Sequence, residues 1–289
     1  AMGNRVDLTG KRIIITGGSM GLGLASAEAC LEAGAKVFLC SRTEGPLKEA
    51  TAGLQHKWQS AVRSMTADVT NREQVDEVFR GAISAFGGVD GVIHAAGVYG
   101  PIGPVIDVDP VEWFDAIRTN LFGTFLVARK ACQVMKSGGG GRIVLFSGGG
   151  AAAPFPNYTA YACSKIGVVR LTETLAQEMA PFKVEINCVS PGFVITRLHQ
   201  QTLAAGERAG IAFLETTKKQ IASGGIPATV GAQSAAFLVS NEAKGITGKF
   251  VASPYDGWEA WPNHVEELQR LDIFTMRRIV PKDRGMDWQ

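Results

Sequence analysis

The stretch that decides the fold is Thr16-Gly17-Gly18-Ser19-Met20-Gly21-Leu22-Gly23, residues 16–23. The apolar run Lys11-Arg12-Ile13-Ile14-Ile15 precedes it, and residues 22–32 have helical spacing. A strand, a glycine-rich turn and a helix in this order bring the backbone close to a diphosphate, whose charge the helix N-terminus stabilises. The pattern therefore predicts a dinucleotide-binding turn, with contacts from Gly17, Ser19, Met20, Gly21, Leu22 and Gly23.

Further apolar runs alternate with helical patterns along the chain. Apolar runs bounded by turn residues predict strands at 11–15, 36–40, 91–94, 142–146 and 184–189, and helical spacing predicts helices at 22–32, 76–86, 113–135 and 161–179. Such runs are typical of parallel strands covered on both faces. We therefore predict one α/β domain over residues 4–251. Residues 1–3 read as an expression-tag remnant, and 252–289 as a C-terminal extension that contributes to the pocket or to a subunit interface.

The bulk composition excludes several classes of protein. The chain has 289 residues, a net charge of +2 and 19% charged residues, which gives no reason to expect nucleic acid as a partner. No apolar run is long enough to cross a bilayer, and no signal peptide is indicated. The five cysteines and four histidines are scattered, so we expect no metal site and a reducing, cytoplasmic environment.

The end of the second strand, Cys40-Ser41-Arg42-Thr43, helps to choose the dinucleotide. NAD-binding versions of this turn usually carry an acid here, which holds the ribose hydroxyls. Ser41 and Arg42 leave no carboxylate to repel a 2′-phosphate, and Arg42 can pair with one. We therefore expect NADP(H) in preference to NAD(H). Asp68 and Val69 follow the third strand and are expected near the adenine, although Asp68 could equally cap a helix.

Tyr161 and Lys165 lie four residues apart at the start of a predicted helix. This spacing places them on one helical face. A nearby ammonium stabilises a phenolate and lowers the pKa of the phenol. The pair therefore predicts a tyrosine that works as a general acid and base.

These motifs together resemble the short-chain dehydrogenase/reductase family over residues 8–251. The resemblance is carried by Thr16–Gly23, His94-Ala95-Ala96-Gly97, Asn120, Tyr161 with Lys165, and 191–196, Pro191-Gly192-Phe193-Val194-Ile195-Thr196. It implies a Rossmann fold with a seven-stranded parallel sheet, assembled as a homodimer or homotetramer.

The resemblance also implies roles for individual residues. Tyr161 would exchange the proton with the substrate oxygen, and Lys165 would lower its pKa and hold the nicotinamide ribose. Asn120 would support a water linked to Lys165. The remaining cofactor contacts would come from Ala95, Ala96, Gly97, Pro191, Gly192, Val194 and Thr196. His94 replaces the usual asparagine, and we interpret it as structural.

One departure concerns the catalytic serine, which this family usually places thirteen residues before the tyrosine. That position is Gly148 here, and the serine lies one residue earlier, at Ser147. A one-residue shift turns a strand side chain to the opposite face. Either the glycines re-aim Ser147, which we favour slightly, or Ser147 is structural. In the second case a backbone N–H of 148–150, or less readily Ser164, would polarise the substrate.

The substrate region is expected to include a mobile segment at 197–225. The candidate contacts there and in the flanking loops are Gly149, Asn157, Tyr158, His199 and Trp258. Polar groups beside aromatic rings suit a polar, sugar-like substrate. The aromatics of the extension, among them Tyr255, Trp258 and Trp261, are equally suited to a subunit interface.

The sequence thus predicts an NADP(H)-dependent oxidoreductase that interconverts a carbonyl and a secondary alcohol of a small molecule. Two alternatives stay open at this stage. One is a nucleotide-sugar epimerase or dehydratase on a related fold. The other is a dinucleotide-binding sensor or scaffold with impaired catalysis, suggested by Gly148 in the place of the serine.

Overall fold

The computed structural model describes residues 6–288, and the predicted tag remnant at 1–3 lies outside them. Seven parallel strands form one sheet in the order β3-β2-β1-β4-β5-β6-β7, as the resemblance implies. The strands are β1 Arg12–Thr16, β2 Lys36–Ser41, β3 Val62–Thr66, β4 Gly91–His94, β5 Gly141–Phe146, β6 Val184–Ser190 and β7 Phe250–Ala252.

Ten α-helices connect the strands or follow them in the described residues. They are α1 Gly21–Glu32, α2 Glu44–Trp58, α3 Arg72–Phe86, α4 Pro110–Ile117, α5 Gly123–Gly138, α6 Thr159–Met179, α7 Arg197–Ala205, α8 Ile211–Ala222, α9 Ala228–Leu238 and α10 Val265–Arg270. Capping residues in the sequence mark the ends of several of these helices. Asn71 caps α3 by accepting from the backbone N–H of Gln74, and Gly87 ends the same helix in the left-handed conformation.

The two faces of the sheet carry separate hydrophobic cores because successive strand residues point in opposite directions. Ile13, Ile15 and Ile93 pack on one face with α1 and α9, whereas Ile14 and Val92 pack on the other face with α3 and α5. All five side chains are almost fully buried. Burial on both faces explains why the strands read as continuous apolar runs.

The strand order reverses between β1 and β4, which are hydrogen-bonded neighbours. The connections that leave these two strands run to opposite sides, so a crevice opens at their carboxyl ends. Every parallel strand points its carboxyl end to this same edge. The fold therefore gathers the glycine turn after β1, the loop after β4 and the loop after β5 around one crevice.

The predicted long helix at 113–135 is interrupted in the structure. Helices α4 and α5 flank a π-helical segment, Arg118–Phe122, in which the Asn120 carbonyl accepts a 2.5 Å hydrogen bond from the Thr124 hydroxyl. A π segment widens one turn and alters which side chains share a helical face. Helical periodicity alone does not reveal it, because the apolar spacing continues through the segment.

The C-terminal extension packs against its own domain. Trp258 lies 5.4 Å from Phe237 of α9 between ring centroids, and Trp261 lies 4.7 Å from Phe274. The backbone N–H of Phe250 in the edge strand β7 donates to the carbonyl of Phe274. The extension therefore covers the β7 edge of the sheet, an edge that would otherwise expose unpaired backbone groups.

Candidate active site

Two adjoining cavities occupy the crevice at the carboxyl ends of the strands. One, of about 380 Å³, lies along the glycine turn and the ends of β2 and β3. The other, of about 260 Å³, lies above β5 and β6. Both are lined by Leu22, Ala95, Gly97, Thr196 and Leu198, so they are two halves of one cleft. We call them the dinucleotide half and the substrate half.

The glycine turn fits a bound dinucleotide because the backbone leaves no room for side chains. A Cβ on Gly17, whose φ is +64°, would stand 2.8 Å from the backbone nitrogen of Ala96, and one on Gly23 would overlap the carbonyl oxygen of Gly17. Helix α1 begins here, and its N-cap, Met20, provides no side-chain cap. The first-turn N–H groups therefore remain available for an anion.

At the far end of the dinucleotide half, the Asp68 carboxylate lies near the charges of Arg42, which lines the cavity, and of Arg118, which does not. Ser41, Arg42, Asp68 and Val69 all line it. Burial raises the pKa of Asp68, but hydrogen bonds from Thr70 and the positive charges of Arg42 and Arg118 outweigh it and lower that pKa. The Thr70 backbone N–H and hydroxyl both donate to Asp68, so the carboxylate is already engaged by the turn that follows β3.

Tyr161 and Lys165 occupy one face of α6, as their spacing predicts, and both line the substrate half. The Lys165 Nζ lies 5.6 Å from the centroid of the Tyr161 ring and donates to the carbonyl of Phe146 at 3.1 Å. Both side chains are buried, with 8% and 5% of their surface exposed. A phenol and an ammonium are thus held together at the carboxyl end of β5.

Burial dominates the ionisation of this pair. It raises the pKa of the Tyr161 phenol above its ordinary value and lowers the pKa of Lys165 to about 8. The lowering of the Tyr161 pKa that we expect from Lys165 stays a prediction, since in this arrangement the ammonium donates to the Phe146 carbonyl and burial is the cause that acts on the phenol. The phenol is therefore protonated at neutral pH.

Asn120 lies behind the reacting groups and lines neither half of the cleft. Its side-chain amide donates to the Val98 carbonyl at 2.7 Å and to the Ser164 hydroxyl at 3.0 Å, and its Oδ1 accepts from the Val98 backbone at 2.8 Å. Asn120 therefore fixes the loop after β4 against α6. Ser164 also donates to the Tyr161 carbonyl, which leaves it no role towards the substrate.

The Ser147 hydroxyl is turned away from the phenol. It donates to the Lys165 carbonyl at 3.0 Å, which favours the structural interpretation of Ser147 over the catalytic one. Position 148, where the family usually has its serine, faces the phenol instead. A Cβ on Gly148 would overlap the Tyr161 hydroxyl, so this arrangement has no space for a side chain there.

The backbone N–H groups of Gly148 and Gly149 are the remaining donors beside the phenol. Both residues line the substrate half. Neither N–H has an acceptor among residues 6–288. The N–H of Ala151, by contrast, donates to the Gly148 carbonyl. The glycine run therefore keeps two free donors next to Tyr161.

The walls of the substrate half are more aromatic than the sequence suggested. His199 and Gly149 line it as predicted, together with Tyr99, Phe155, Phe193 and Phe213. The contributions of Tyr99 and Phe213 were missed, since Tyr99 lies in the irregular loop after β4 and Phe213 in α8. The only sequence signal for Tyr99 is its position two residues after Gly97.

Asn157 and Tyr158, both predicted to touch substrate, lie outside this half. The Tyr158 side chain is fully buried, and its hydroxyl shares a 2.7 Å hydrogen bond with Thr202 of α7. Its ring stacks on Phe155 at 4.2 Å. Asn157 adopts a left-handed backbone with φ +68°, and its carbonyl accepts from the Gly103 N–H. Both residues therefore support the wall behind Phe155.

Trp258 is also placed away from the substrate half. Its indole N–H donates to the Ser253 carbonyl at 3.2 Å, and its ring belongs to the core beneath α1 and α9. This position corrects the expected substrate contact of Trp258, because the residue does not line the substrate half. It lines a separate cavity beside α1 and α9, and its part in a subunit interface stays a prediction. The polar residues beside Trp258 in the sequence suggested a pocket or interface position for a side chain that packs in the core.

His94 is buried between β1 and β4 as a structural residue, but its Nε2 has no hydrogen-bond partner within residues 6–288. Its Nδ1 shares a 2.7 Å hydrogen bond with the Thr16 hydroxyl across β1 and β4. Complete burial, reinforced by the charge of Lys165, lowers the pKa of His94 to about 3, so the ring is neutral. The described part of the chain contains no group of three or more metal-ligating side chains. No helix within residues 6–288 has the length and apolar character that a membrane crossing requires.

A dinucleotide cradle on a doubly wound sheet, with a phenol and an ammonium at the mouth of β5, defines the class of nicotinamide-dependent oxidoreductases. Residues 11–206 match the family model described as short chain dehydrogenase. The chain belongs to this short-chain dehydrogenase/reductase family.

Characterised relatives match almost the whole chain. The 2-(S)-hydroxypropyl-CoM dehydrogenase 3 of Xanthobacter autotrophicus is 32% identical over 248 residues, which cover 86% of this chain and 95% of that protein. The 3beta-hydroxysteroid dehydrogenase 1 of Eggerthella lenta is 32% identical over 246 residues, which cover 84% and 91%.

Solved structures agree with the fold. An NAD+-bound xylitol dehydrogenase superposes with a TM-score of 0.79 at 25% identity and covers 85% of this chain and 98% of its own. Levodione reductase superposes with a TM-score of 0.78 at 28% identity and covers 87% and 98%. These relatives are oxidoreductases that act on alcohols or carbonyls, and neither an epimerase nor a dehydratase is favoured by them.

Proposed function

We propose that this protein is an NADP(H)-dependent ketoreductase that uses Tyr161 as the acid and base. The single observation that carries the proposal is the buried Tyr161–Lys165 pair, which opens into the substrate half beside the glycine-lined dinucleotide half. In the reducing direction a dinucleotide bound in this cleft would supply a hydride to the carbonyl carbon. The protein then has to hold the carbonyl, stabilise the charge on its oxygen and deliver a proton.

Tyr161 delivers the proton. Burial keeps its phenol protonated at neutral pH, so it can donate to the alkoxide oxygen as charge develops there. Lys165 lies on the same helical face and can stabilise the phenolate that remains. The family roles carried over to Pro191, Gly192, Val194 and Thr196 complete the proposed site, and Asn120 supports it by fixing the loop after β4 against α6.

The developing alkoxide also needs a hydrogen-bond donor, and we assign this role to the N–H groups of Gly148 and Gly149. These two amides lie beside the phenol, and neither has a hydrogen-bond acceptor among the described residues. Backbone donors that are fixed before the reaction cost no reorganisation when the charge develops.

The Ser147→Ala variant tests this assignment. Because the Ser147 hydroxyl already donates to the Lys165 carbonyl, its removal should change turnover by less than about threefold. Loss of a true alkoxide donor costs about 10²–10³ in turnover. Steady-state rates decide the matter, and a decrease of tenfold or more would return the role to the serine.

NADP(H) is preferred in this proposal because Arg42 is an exposed cation at the edge of the dinucleotide half. Its guanidinium can pair with a 2′-phosphate, while Asp68 is engaged by Thr70 and not presented to the ribose. A hydrogen bond to a charged group contributes about 1.5–3 kcal/mol.

Arg42→Ala should therefore weaken NADPH binding by about 10- to 100-fold and leave NADH binding nearly unchanged. Fluorescence titration of both reduced dinucleotides measures this. The matched control is Arg63→Ala, an exposed arginine of β3 that lies outside the cleft. Equal affinity of the unmodified protein for NADPH and NADH would contradict the assignment.

We also propose that the protein is a homo-oligomer in the cytoplasm. Support comes from the apolar side chains that are exposed on α4, α5 and the π-helical segment between them, which are Val111, Phe114, Phe122 and Phe125. The five cysteines are all free thiols, which suits a reducing compartment.

The experiment that tests the function is direct. Purified protein should consume NADPH in the presence of at least one member of a panel of ketones and aldehydes, and the alcohol product should appear in equal amount. Binding of NADPH without turnover of any panel member would favour the sensor or scaffold alternative.

A further inference from the structure

A separate cavity, of about 530 Å³, lies between α1, α9 and the C-terminal extension. Alanines of both helices and the rings of Phe237 and Trp258 give it an apolar lining. Four carboxylates line it as well, those of Glu28, Glu32, Glu242 and Glu259. Among the described residues that line it, none is cationic. We call this cavity the acidic trough, and it shares no lining residue with the cleft of the active site.

The carboxylates of the acidic trough have few partners of their own. Glu242 Oε2 is buried and has no hydrogen-bond partner within residues 6–288. Glu28 and Glu259 are exposed and form no ion pair in the same residues, whereas Glu32 lies 3.6 Å from Lys57. Carboxylates gathered beside an apolar surface repel one another. The acidic trough therefore suits an occupant that brings both positive charge and apolar side chains.

Residues 278–288, which we call the tail, carry this combination. Three large apolar side chains of the tail expose 60%, 50% and 66% of their surface, and they are Ile279, Met286 and Trp288. The tail also has three exposed cations, Arg278, Lys282 and Arg284. Within the described residues none of these cations forms an ion pair with a carboxylate. Apolar groups that are left in water beside unpaired charges indicate a partner.

The tail is held in a fixed shape by its own hydrogen bonds. Just before it, the Glu173 carboxylate of α6 accepts from the Met276 N–H at 2.7 Å. Arg277 donates to both carboxylate oxygens of Asp283, at 2.8 and 3.0 Å, and the Val280 N–H donates to the same carboxylate. A segment that is already ordered loses little conformational freedom when it binds.

We propose that the tail of a second copy of this chain occupies the acidic trough, and that two copies exchange their tails. The tail of the same copy lines no part of the acidic trough. The cations of the tail complement its carboxylates, and complementary charge selects the partner and fixes its register. In a two-fold arrangement each copy offers one tail and one trough, so the contact is made twice. This inference goes beyond the ketoreductase proposal and does not depend on it.

Charge reversal on each side tests the contact, with analytical ultracentrifugation as the measurement. The trough variant carries Glu28→Lys and Glu259→Lys, and the tail variant carries Lys282→Glu and Arg284→Glu. All four side chains are exposed, so the fold is kept. Each variant sets like charges against each other and should weaken the association about tenfold or more. A chain with all four substitutions restores opposite charges and should associate within about threefold of the unmodified protein.

Two further variants serve as references. Glu49→Lys makes the same change at an exposed position of α2 outside the acidic trough, and it should leave the association unchanged. Phe114→Asp disrupts the exposed apolar face of α4 and α5, which also lies outside the acidic trough. A tetramer that uses both contacts should become a dimer in the Phe114→Asp variant or in the tail variant, and a monomer when the two are combined.

Recovery of association in the chain with all four substitutions supports the exchange of tails. Association that is unaffected, that fails to recover, or that is lost in the trough variant alone would overturn the inference, because another segment would then occupy the acidic trough. A Phe114→Asp variant that is already a monomer would overturn it as well. These measurements do not involve turnover, so failure with every carbonyl of the panel would count against the proposed function only.

Discussion

Tyr161→Phe should lower kcat/KM for carbonyl reduction by about 10²–10⁴ and leave NADPH binding intact. The magnitude is what a positioned general acid contributes. The substitution removes one hydroxyl from a ring that edge-to-face contacts with Tyr99 at 4.8 Å hold in place, so the shape of the pocket is kept. Stopped-flow or steady-state rates, with dinucleotide titration alongside, separate chemistry from binding.

Tyr158→Phe is the matched control, because it removes the same hydroxyl group three residues earlier, at the N-cap of α6. The Tyr158 hydroxyl is bonded to Thr202 and lies outside the substrate half. Its loss should cost about 1 kcal/mol of stability and leave turnover nearly unchanged. If the two variants lose activity equally, or if Tyr161→Phe keeps it, the phenol is not the acid.

The direction of the Tyr161 pKa also predicts how the two reaction directions respond to pH. Reduction requires the protonated phenol, which burial stabilises throughout the neutral range. Alcohol oxidation requires the phenolate, which becomes available only as the pH rises towards the raised pKa. The rate of oxidation should therefore increase into the alkaline range, while reduction is fastest at neutral or lower pH.

The sequence was sufficient for the sheet and the dinucleotide turn because both depend on local signals. Uninterrupted apolar runs such as Ile13-Ile14-Ile15 define buried parallel strands, and the spacing of glycines in 16–23 reflects the close approach of the Gly17 carbonyl to Gly23. The Tyr161–Lys165 spacing determined which face of α6 meets the cleft. These features need no knowledge of distant contacts.

The sequence was insufficient where tertiary packing chooses the direction of a side chain. Ser147 and Gly148 show this most clearly, since a hydroxyl one residue out of register bonds to the Lys165 carbonyl. Trp258 looked like a pocket residue among polar neighbours, yet its ring completes the core under α9. The sequence could place His199 near the substrate, but the capping bond that its Nδ1 accepts required coordinates.

Lys165→Met should nearly abolish turnover at neutral pH and, at the same pH, make the protein more stable. Burial lowers the folded-state pKa of Lys165 from 10.5 to about 8, so folding favours its neutral form. At pH 7 the lysine is charged in both states, and keeping that charge buried costs about 3 kcal/mol, at 1.36 kcal/mol per pKa unit. The hydrogen bond to the Phe146 carbonyl, worth about 1 kcal/mol, offsets part of this.

A net gain of about 2 kcal/mol is therefore expected for the methionine variant below pH 8, measured by denaturant unfolding. The stability gain of the methionine variant keeps its sign at higher pH. It shrinks as the pH rises from 8 towards 10.5, where the unmodified lysine becomes neutral in both the folded and the unfolded state. Lys48→Met is the control, because Lys48 is 75% exposed and should show neither effect. A variant that loses activity without gaining stability would mean that the charge of Lys165 is well solvated. A variant that retains activity would remove Lys165 from the proton-transfer site.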